Sequence, residues 1–122
     1  VHVPLNDETM NLIGINELKA MKPGSLLINA SRGGVVDEDS LVKVLNEEHL
    51  GGAAIDVYSQ EPLTTQNPFL QLSEKATKRV ILTPHVAGIS RQAWTKLFKE
   101  SWKNIERVLL NDEFPKFVVN KE

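Results

Sequence analysis

The chain has 122 residues, of which 41% are hydrophobic and 25% are charged, a composition that excludes collagen-like, disordered and coiled-coil proteins. Fourteen Lys and Arg residues against sixteen Asp and Glu residues give a net charge of −2, so we expect neither nucleic acid nor a membrane as a partner. Cysteine is absent, which excludes disulfides and thiolate chemistry and fits a cytoplasmic protein.

The first residues, Val1 to Pro4, have the pattern of a strand tail whose start is missing, so we expect a piece of a longer protein. Asp7 is the predicted N-cap of a first helix. Residues 16–21 predict a second short helix, which ends at Pro23 and Gly24 because proline cannot continue the hydrogen-bond ladder.

Predicted strands and helices alternate through the middle of the chain. Residues 26–30 form a nearly continuous apolar run, which predicts a parallel strand buried on both faces. Asp37 is the predicted cap of the next helix, which we expect to end at Gly51 and Gly52. Further buried strands are predicted over 53–55 and 80–82, with a polar loop and a short helix over 69–72 between them.

Apolar residues at three-to-four spacing predict a last helix from about Arg91 to Leu110, with its tryptophans and phenylalanine in a core or an interface. Residues 117–119 are expected to pack or pair as a short extended tail. The alternation of strands and helices predicts an α/β fold, part of a doubly wound, Rossmann-like parallel sheet with flanking helices.

Ligands of a doubly wound sheet bind beyond the carboxyl ends of its strands. Arg32 follows the first predicted strand, Asp56 and then Glu61 follow the second, and His85 follows the third. The topology therefore predicts that one guanidinium, two carboxylates and one imidazole lie on the same rim of the sheet.

Each of these side chains alone also has a structural interpretation. Arg32 is typical of a surface ion pair, His85 of a satisfied polar group, Asp56 of a turn cap and Glu61 of a loop carboxylate. Together they favour chemistry, because an Arg fork suits a substrate carboxylate and a His beside an acid donates a proton near neutral pH. These groups match the reversible reduction of a 2-oxo acid, with the hydride supplied by a cofactor.

Four segments resemble the motifs of the D-isomer-specific 2-hydroxyacid dehydrogenases, in the order and with the spacing of that family. They are Val1-His2-Val3-Pro4-Leu5, Asn29-Ala30-Ser31-Arg32-Gly33-Gly34-Val35-Val36-Asp37, Asp56-Val57 with Glu61-Pro62, and Leu82-Thr83-Pro84-His85 with Gly88. The resemblance implies a catalytic set in which Arg32 binds the substrate carboxylate and carbonyl, His85 is the acid/base and Glu61 tunes His85.

The resemblance also implies that the cofactor is NAD, with Asp56 and the backbone of Ala30 and Ser31 at its nicotinamide end. The implied cofactor-binding residues are Val3, Pro4, Ala30, Ser31, Arg32, Asp56, His85, Val86, Ala87 and Gly88. NADP stays open, because the family's G-x-G-x-x-G turn and the acidic residue about 20 positions after it are absent from the chain.

Residues 1–122 are therefore expected to be the second half of an NAD-binding domain plus the C-terminal helix and tail, without the glycine-rich turn and the substrate domain. The expected partners are a small 2-oxo or 2-hydroxy acid and a second copy of the protein in a homodimer. We expect the chain alone to be inactive, and to dimerise because half a sheet leaves an apolar face exposed.

Two other interpretations share this fold. An NAD(H)-sensing, corepressor-like interaction protein would keep the same three residues but carry a tryptophan shortly after His85, where this chain has Val86-Ala87-Gly88-Ile89. Formate dehydrogenases replace the acid by Gln, so Glu61 argues against them. The sequence does not choose the 2-hydroxy acid, and its histidines at 2, 49 and 85 lack the spacing of metal ligands.

Overall fold

A computed structural model describes residues 1–118, and the chain divides into two compact units after Ala87. The elements of the first unit follow in chain order: α1 (Ile15–Ala20), β1 (Leu26–Asn29), α2 (Glu38–Asn46), β2 (Gly52–Ile55), a 3₁₀ helix (Pro68–Gln71), α3 (Glu74–Thr77) and β3 (Val80–Leu82). The second unit contains α4 (Arg91–Leu110).

The three strands form one parallel sheet in the order β1-β2-β3. Asn29 pairs with Ile55, and Ile55 pairs with Leu82, so all three strands end at the same level. The predicted α/β fold with a partial, Rossmann-like parallel sheet is confirmed. This register brings the segments that follow the strands to one edge.

The core of the first unit lies on one face of the sheet. Leu27 of β1 is buried there with Leu18 of α1 and with Leu41 and Leu45 of α2. Leu41 and Leu45 are four residues apart and so lie on the same side of α2. Burial of such a leucine contributes about 2 kcal/mol to the stability of the fold. This packing holds α2 on the sheet, with the N-terminus of α2 near the ends of the strands.

The opposite face of the sheet is exposed, and two predictions are wrong, the burial of β1 on both faces and the burial of the strand over 80–82, where Ile81 and Leu82 are exposed. Side chains of β1 alternate, with Leu26 68% and Ile28 61% exposed, whereas Leu27 and Asn29 are buried. A continuous apolar run predicts a strand, but it does not say whether neighbouring elements cover one face or two. The apolar face of Leu26, Ile28 and Ile81 is therefore a surface of the first unit.

One predicted helix is absent and the end of another is wrong. No helix begins at Asp7, because residues 6–11 form turns in which the Asn6 side chain accepts hydrogen bonds from the N–H groups of Glu8 and Thr9 at 3.0 Å. The helix after Asp37 ends at Asn46 rather than at Gly51, because the chain turns away at Glu48, whose φ is +60°. Asp37 does occupy the N-cap position, although its side chain caps no backbone N–H.

The charged segment before β3 contains α3, which the sequence did not predict. The Ser73 hydroxyl accepts a hydrogen bond from the N–H of Ala76 at 3.2 Å and so caps this short helix. Arg79, just beyond it, donates to the carbonyls of Leu45, Leu50 and Gly51 at 3.1, 2.8 and 3.3 Å. The segment therefore supports the C-terminal end of α2.

In the second unit, α4 has the predicted bounds and begins after a Ser90 cap, but its aromatic side chains are not in a core. None of the residues of α4 is buried, and Trp94, Phe98 and Trp102 are exposed. Residues 111–118 contain no strand, and Val119 of the predicted tail lies outside the described residues. Across residues 1–118, no helix has the length and apolar character needed to cross a membrane.

Candidate active site

The three segments that follow the strands lie side by side. The N–H of Asp56 donates to the carbonyl of Asn29 at 3.0 Å, and the N–H of Thr83 donates to the carbonyl of Ile55 at 3.0 Å. The sheet ladder thus continues for one residue past the strand ends. As predicted from the topology, this edge carries the segments that contain Arg32, Asp56 and His85.

The turn that carries Arg32 is shaped by Asn29, a buried residue whose role the sequence did not reveal. Its side-chain carbonyl accepts hydrogen bonds from the N–H and the hydroxyl of Ser31 at 3.2 and 2.8 Å. Its amide donates to the carbonyl of Arg32 at 3.2 Å. The last residue of β1 therefore fixes the backbone on both sides of Ser31.

The two glycines after Arg32 do different things. Gly34 has a φ of +77°, which only glycine adopts without strain. Gly33 instead makes room, because a Cβ there would lie 1.8 Å from the carbonyl oxygen of Tyr58 and 2.5 Å from the nitrogen of Ser59. The Arg32 turn therefore packs directly against the backbone of the segment that follows β2.

Arg32 itself is exposed at this edge, and its Nη1 donates to the carbonyl of Ser31 at 2.7 Å. It forms no ion pair with an acidic side chain of residues 1–118. The structural interpretation as a surface ion pair therefore does not apply. Most of the donors of this guanidinium are available to an anionic group.

Glu61 and His85 are in direct contact, although 24 residues separate them. Nδ1 of His85 lies 2.8 Å from Oε2 of Glu61, and the N–H of Tyr58 donates to Oε1 of Glu61 at 2.9 Å. These two hydrogen bonds, above all the one from His85, hold the pKa of the Glu61 carboxyl below its usual value. The side chains are 37% and 46% exposed, so the pair is open to a ligand.

Asp56, the second carboxylate of the rim, is buried and does not join this pair. It accepts hydrogen bonds from the hydroxyl of Thr83 at 2.5 Å and from the N–H groups of Val86 and Ala87 at 2.9 and 2.8 Å. Burial opposes its ionisation, but these three hydrogen bonds outweigh burial and lower the pKa of Asp56.

Asp56 thereby holds the turn that presents His85, whose backbone has an unusual φ of +54°. A histidine in this left-handed region costs about 1 kcal/mol or more, so surrounding contacts must stabilise it. The hydrogen bonds of Val86 and Ala87 to Asp56 directly after His85 supply that stabilisation.

Tyr58 is a further site residue that sequence reasoning missed. Its buried hydroxyl donates to the carbonyl of Thr83 at 2.9 Å, while its backbone contacts Glu61 and Gly33 as described above. Burial, with the nearby negative charge of Asp56, raises the pKa of its phenol, so the hydroxyl stays a donor. Its position two residues after Asp56 was the only available signal.

The predicted cofactor-binding residues fall into three groups. Five of them line one cavity of about 570 Å³, together with His2 and Leu5: Val3, Pro4, Ala30, Ser31 and Arg32. Asp56 is joined to Val86 and Ala87 by hydrogen bonds, next to His85. Gly88 is the first residue of the second unit.

The size and the lining of this cavity fit part of a dinucleotide. Pockets for small molecules and cofactors span roughly 300–1,000 Å³ and combine apolar walls with a few polar groups. Val3 and Pro4 supply apolar walls, and Arg32 supplies a cation. Asp56 does not line this cavity, and its carboxylate uses three of its roughly four lone-pair positions for Thr83, Val86 and Ala87.

A second cavity of about 300 Å³ lies beside the acid–imidazole pair. Its lining residues are Tyr58, Glu61, Pro62, Leu63, Pro84 and His85. Among residues 1–118, no three His, Asp or Glu side chains form a cluster that could hold a metal ion.

Residues 1–87 match the family described as D-isomer specific 2-hydroxyacid dehydrogenase, NAD binding domain. The D-3-phosphoglycerate dehydrogenase of Escherichia coli K12 is 51% identical over 94 residues, which cover 76% of this chain and 22% of that enzyme. The glyoxylate reductase of Thermofilum pendens is 40% identical over all 122 residues, which cover 34% of that enzyme.

A solved structure of a named dehydrogenase is similar to this chain as well. The apo form of Rhodotorula graminis D-mandelate dehydrogenase superposes with a TM-score of 0.84 and 30% identity, over 99% of this chain and 33% of that one. The chain thus spans about a third or less of the length of these relatives. The family match over residues 1–87, with the edge described above, shows that the chain belongs to the NAD-binding domain family of the D-isomer specific 2-hydroxyacid dehydrogenases.

Proposed function

We propose that the chain supplies the catalytic edge of an NAD-dependent D-2-hydroxyacid dehydrogenase or 2-oxoacid reductase. The observation that carries this proposal is the 2.8 Å contact between Glu61 and His85 at the carboxyl edge of a parallel sheet, with Arg32 on a neighbouring turn. A proton donor with a fixed acidic partner and an available guanidinium are what the reduction of a 2-oxo acid requires.

Arg32 binds the carboxylate of the 2-oxo acid and polarises its carbonyl. The planar guanidinium offers parallel N–H donors that match two carboxylate oxygens, which a lysine does not. Its exposure and its lack of an acidic partner within residues 1–118 support this role.

His85 gives a proton to the carbonyl oxygen during reduction and takes it back during oxidation. Glu61 accepts the hydrogen bond from Nδ1, which orients the imidazole ring and leaves Nε2 to face the substrate. NAD(H), when bound, supplies or accepts the hydride at the carbonyl carbon, so that oxo acid, hydride and proton together give the hydroxy acid.

The cofactor would lie against the cavity formed by Val3, Pro4, Ala30, Ser31 and Arg32 and against the turn that contains His85, Val86 and Ala87. The remaining lone pair of Asp56 is suited to an amide N–H of the nicotinamide end.

Residues 1–122 would be the second half of an NAD-binding domain with the C-terminal helix and tail, and the other half and a substrate domain would complete the cleft. The whole enzyme would act as a homodimer on a small 2-oxo or 2-hydroxy acid. Relatives named for 3-phosphoglycerate, glyoxylate and mandelate differ widely in their substrates, so the acid stays open within this class.

The proposal is tested with a chimera in which residues 1–122 replace the matching third of the Thermofilum pendens glyoxylate reductase. We expect NADH-dependent glyoxylate reduction, and a loss of kcat/KM of about a hundredfold or more in Arg32→Ala and in His85→Asn. Asparagine is chosen at 85 because it tolerates a positive φ, so that the change removes the imidazole and not the turn.

The matched control is Lys43→Ala, a change of an exposed cation on α2 that should leave kcat/KM near the parent value. Activity of Arg32→Ala and His85→Asn near that of the parent chimera would refute the proposal. NADH binding by a folded chimera that turns over no oxo acid would favour the corepressor-like interpretation instead.

A further inference from the structure

Glu38 is a buried acid that the reaction described above does not use. It is the first residue of α2, and only 8% of its surface is exposed, whereas the neighbouring Asp39 in the same helical turn is exposed. A carboxylate in the first turn of a helix normally faces solvent, since the favourable helix dipole does not require burial. The buried carboxylate of Glu38 therefore needs hydrogen-bond donors close to it.

Those partners lie at both ends of the loop that contains Glu61. Oε1 of Glu38 accepts hydrogen bonds from the N–H and the hydroxyl of Ser59 at 2.5 and 2.8 Å. Its Oε2 accepts one from the side-chain amide of Asn67 at 3.4 Å. One carboxylate on a helix packed in the core thus holds residues 59 and 67, which flank Glu61 on either side.

The same hydrogen bonds reach the other two residues of the site through the backbone. The Tyr58–Ser59 peptide that Glu38 holds is the one against which Gly33 packs, directly beside Arg32. The N–H of Tyr58, on the preceding peptide, donates to Glu61, which in turn contacts His85. A shift of this segment would therefore move Glu61 away from His85 and disturb the Arg32 turn.

We propose that Glu38 is a positioning residue, whose carboxylate holds the 58–67 loop so that Glu61 meets His85. Its role in turnover rests on the function proposed above, but its effect on the Glu61–His85 contact does not. The burial of a charged group is offset here by charge-assisted hydrogen bonds to a backbone N–H and two side chains.

The first test is an NMR titration of the Glu61 side-chain carboxyl in this chain, labelled with ¹³C at glutamate. In the parent, contact with His85 keeps the pKa of Glu61 below its usual value. We expect the pKa of Glu61 to rise towards the ordinary glutamate value in Glu38→Ala, and by less in Glu38→Gln, whose carbonyl still accepts from Ser59. Asp39→Asn, in the same helical turn, should leave it unchanged.

The second test is kinetic and uses the chimera. We expect kcat for glyoxylate reduction to fall at least about tenfold in Glu38→Gln with little change in the Kd for NADH, because a misplaced acid weakens proton transfer and not cofactor binding. Asp39→Asn should keep both values. A purely structural role would lower Tm without moving kcat or the pKa of Glu61.

If Glu38→Ala does not fold, the Glu38→Gln variant is used for both tests, because glutamine keeps the shape of the side chain. An unchanged pKa of Glu61 and an unchanged kcat in the folded Glu38→Gln variant would overturn the proposal. Should Arg32→Ala and His85→Asn leave turnover intact, the proposed function fails, while the titration still reports on Glu38.

Discussion

Asp56 joins the end of β2 to the turn that presents His85. It accepts hydrogen bonds from the hydroxyl of Thr83 and from the N–H groups of Val86 and Ala87. Because its pKa is lowered in the folded chain, Asp56 contributes stability above the ordinary carboxyl pKa of about 3.9, and this contribution is lost as the pH falls through the lowered pKa.

We therefore expect Asp56→Asn to lower the free energy of unfolding by about 2 kcal/mol at pH 7, since the new amide N–H would face a backbone N–H donor. The difference from the parent should shrink as the pH falls below about 4. Urea unfolding at several pH values measures both effects. Asp7→Asn, an exposed acid, is the control, and a difference for Asp56→Asn that does not depend on pH would contradict this account.

At the scale of elements, Arg79 ties the segment before β3 to the end of α2. Its guanidinium donates to the carbonyls of Leu45, Leu50 and Gly51, at the end of α2 and in the turn that follows it. Its Nε donates to the carbonyl of Lys75 in α3 at 3.3 Å. The charged stretch from Ser73 to Arg79 thus connects α2 with β3.

Replacement of Arg79 by Met keeps much of the apolar stem and removes the donors. We expect the free energy of unfolding in urea to fall by about 2 kcal/mol, since four carbonyls lose a charged donor. Lys78→Met removes an exposed pair with Glu74 and should change stability by less than about 0.5 kcal/mol. Equal effects of the two substitutions would show that the carbonyl contacts of Arg79 do not matter for stability.

Local signals made several of these elements predictable. The bounds of α4 were predicted correctly because they follow from apolar residues at helical spacing. The four-residue helix α3 is too short to show such a period, and the exposure of Ile28 in β1 depends on which elements cover the sheet. Periodicity describes a single element, whereas burial depends on its neighbours.

Prediction of the candidate site from the sequence is limited in the same way. Parallel strands bring Arg32, Asp56 and His85 to one edge, so topology alone placed them together. Glu38 and Tyr58 were missed because their partners, Ser59 and Thr83, lie 21 and 25 residues away and carry no motif.

At the scale of the whole molecule, the apolar face of Leu26, Ile28 and Ile81 is open, and each of these side chains is more than half exposed. Such faces and strand edges favour association, because burial of apolar area is favourable by about 25 cal/mol per Å². We expect this chain to self-associate, as a dimer at lower concentrations.

Sedimentation velocity over a range of concentrations measures this association. Ile28→Lys should shift the distribution towards monomer, because it places a charge in the centre of the apolar face. Leu70→Lys, a change of an exposed leucine in the 3₁₀ helix, is the control and should leave the distribution unchanged. A parent chain that stays monomeric at high concentration would contradict the prediction.

The contact between Glu61 and His85 is the central feature of the proposed site, and a kinetic comparison of two glutamate variants of the chimera tests its role. The measurement is kcat/KM for glyoxylate reduction by Glu61→Gln, with Glu74→Gln, a change of an exposed glutamate in α3, as the matched control. Gln at position 61 lacks the negatively charged oxygen that lies against Nδ1 of His85, so the imidazole loses the partner that orients it. We expect kcat/KM to fall at least about tenfold in Glu61→Gln with little change in the Kd for NADH, and Glu74→Gln to keep the parent values. A kcat/KM of Glu61→Gln equal to that of the parent chimera would contradict the role of this contact.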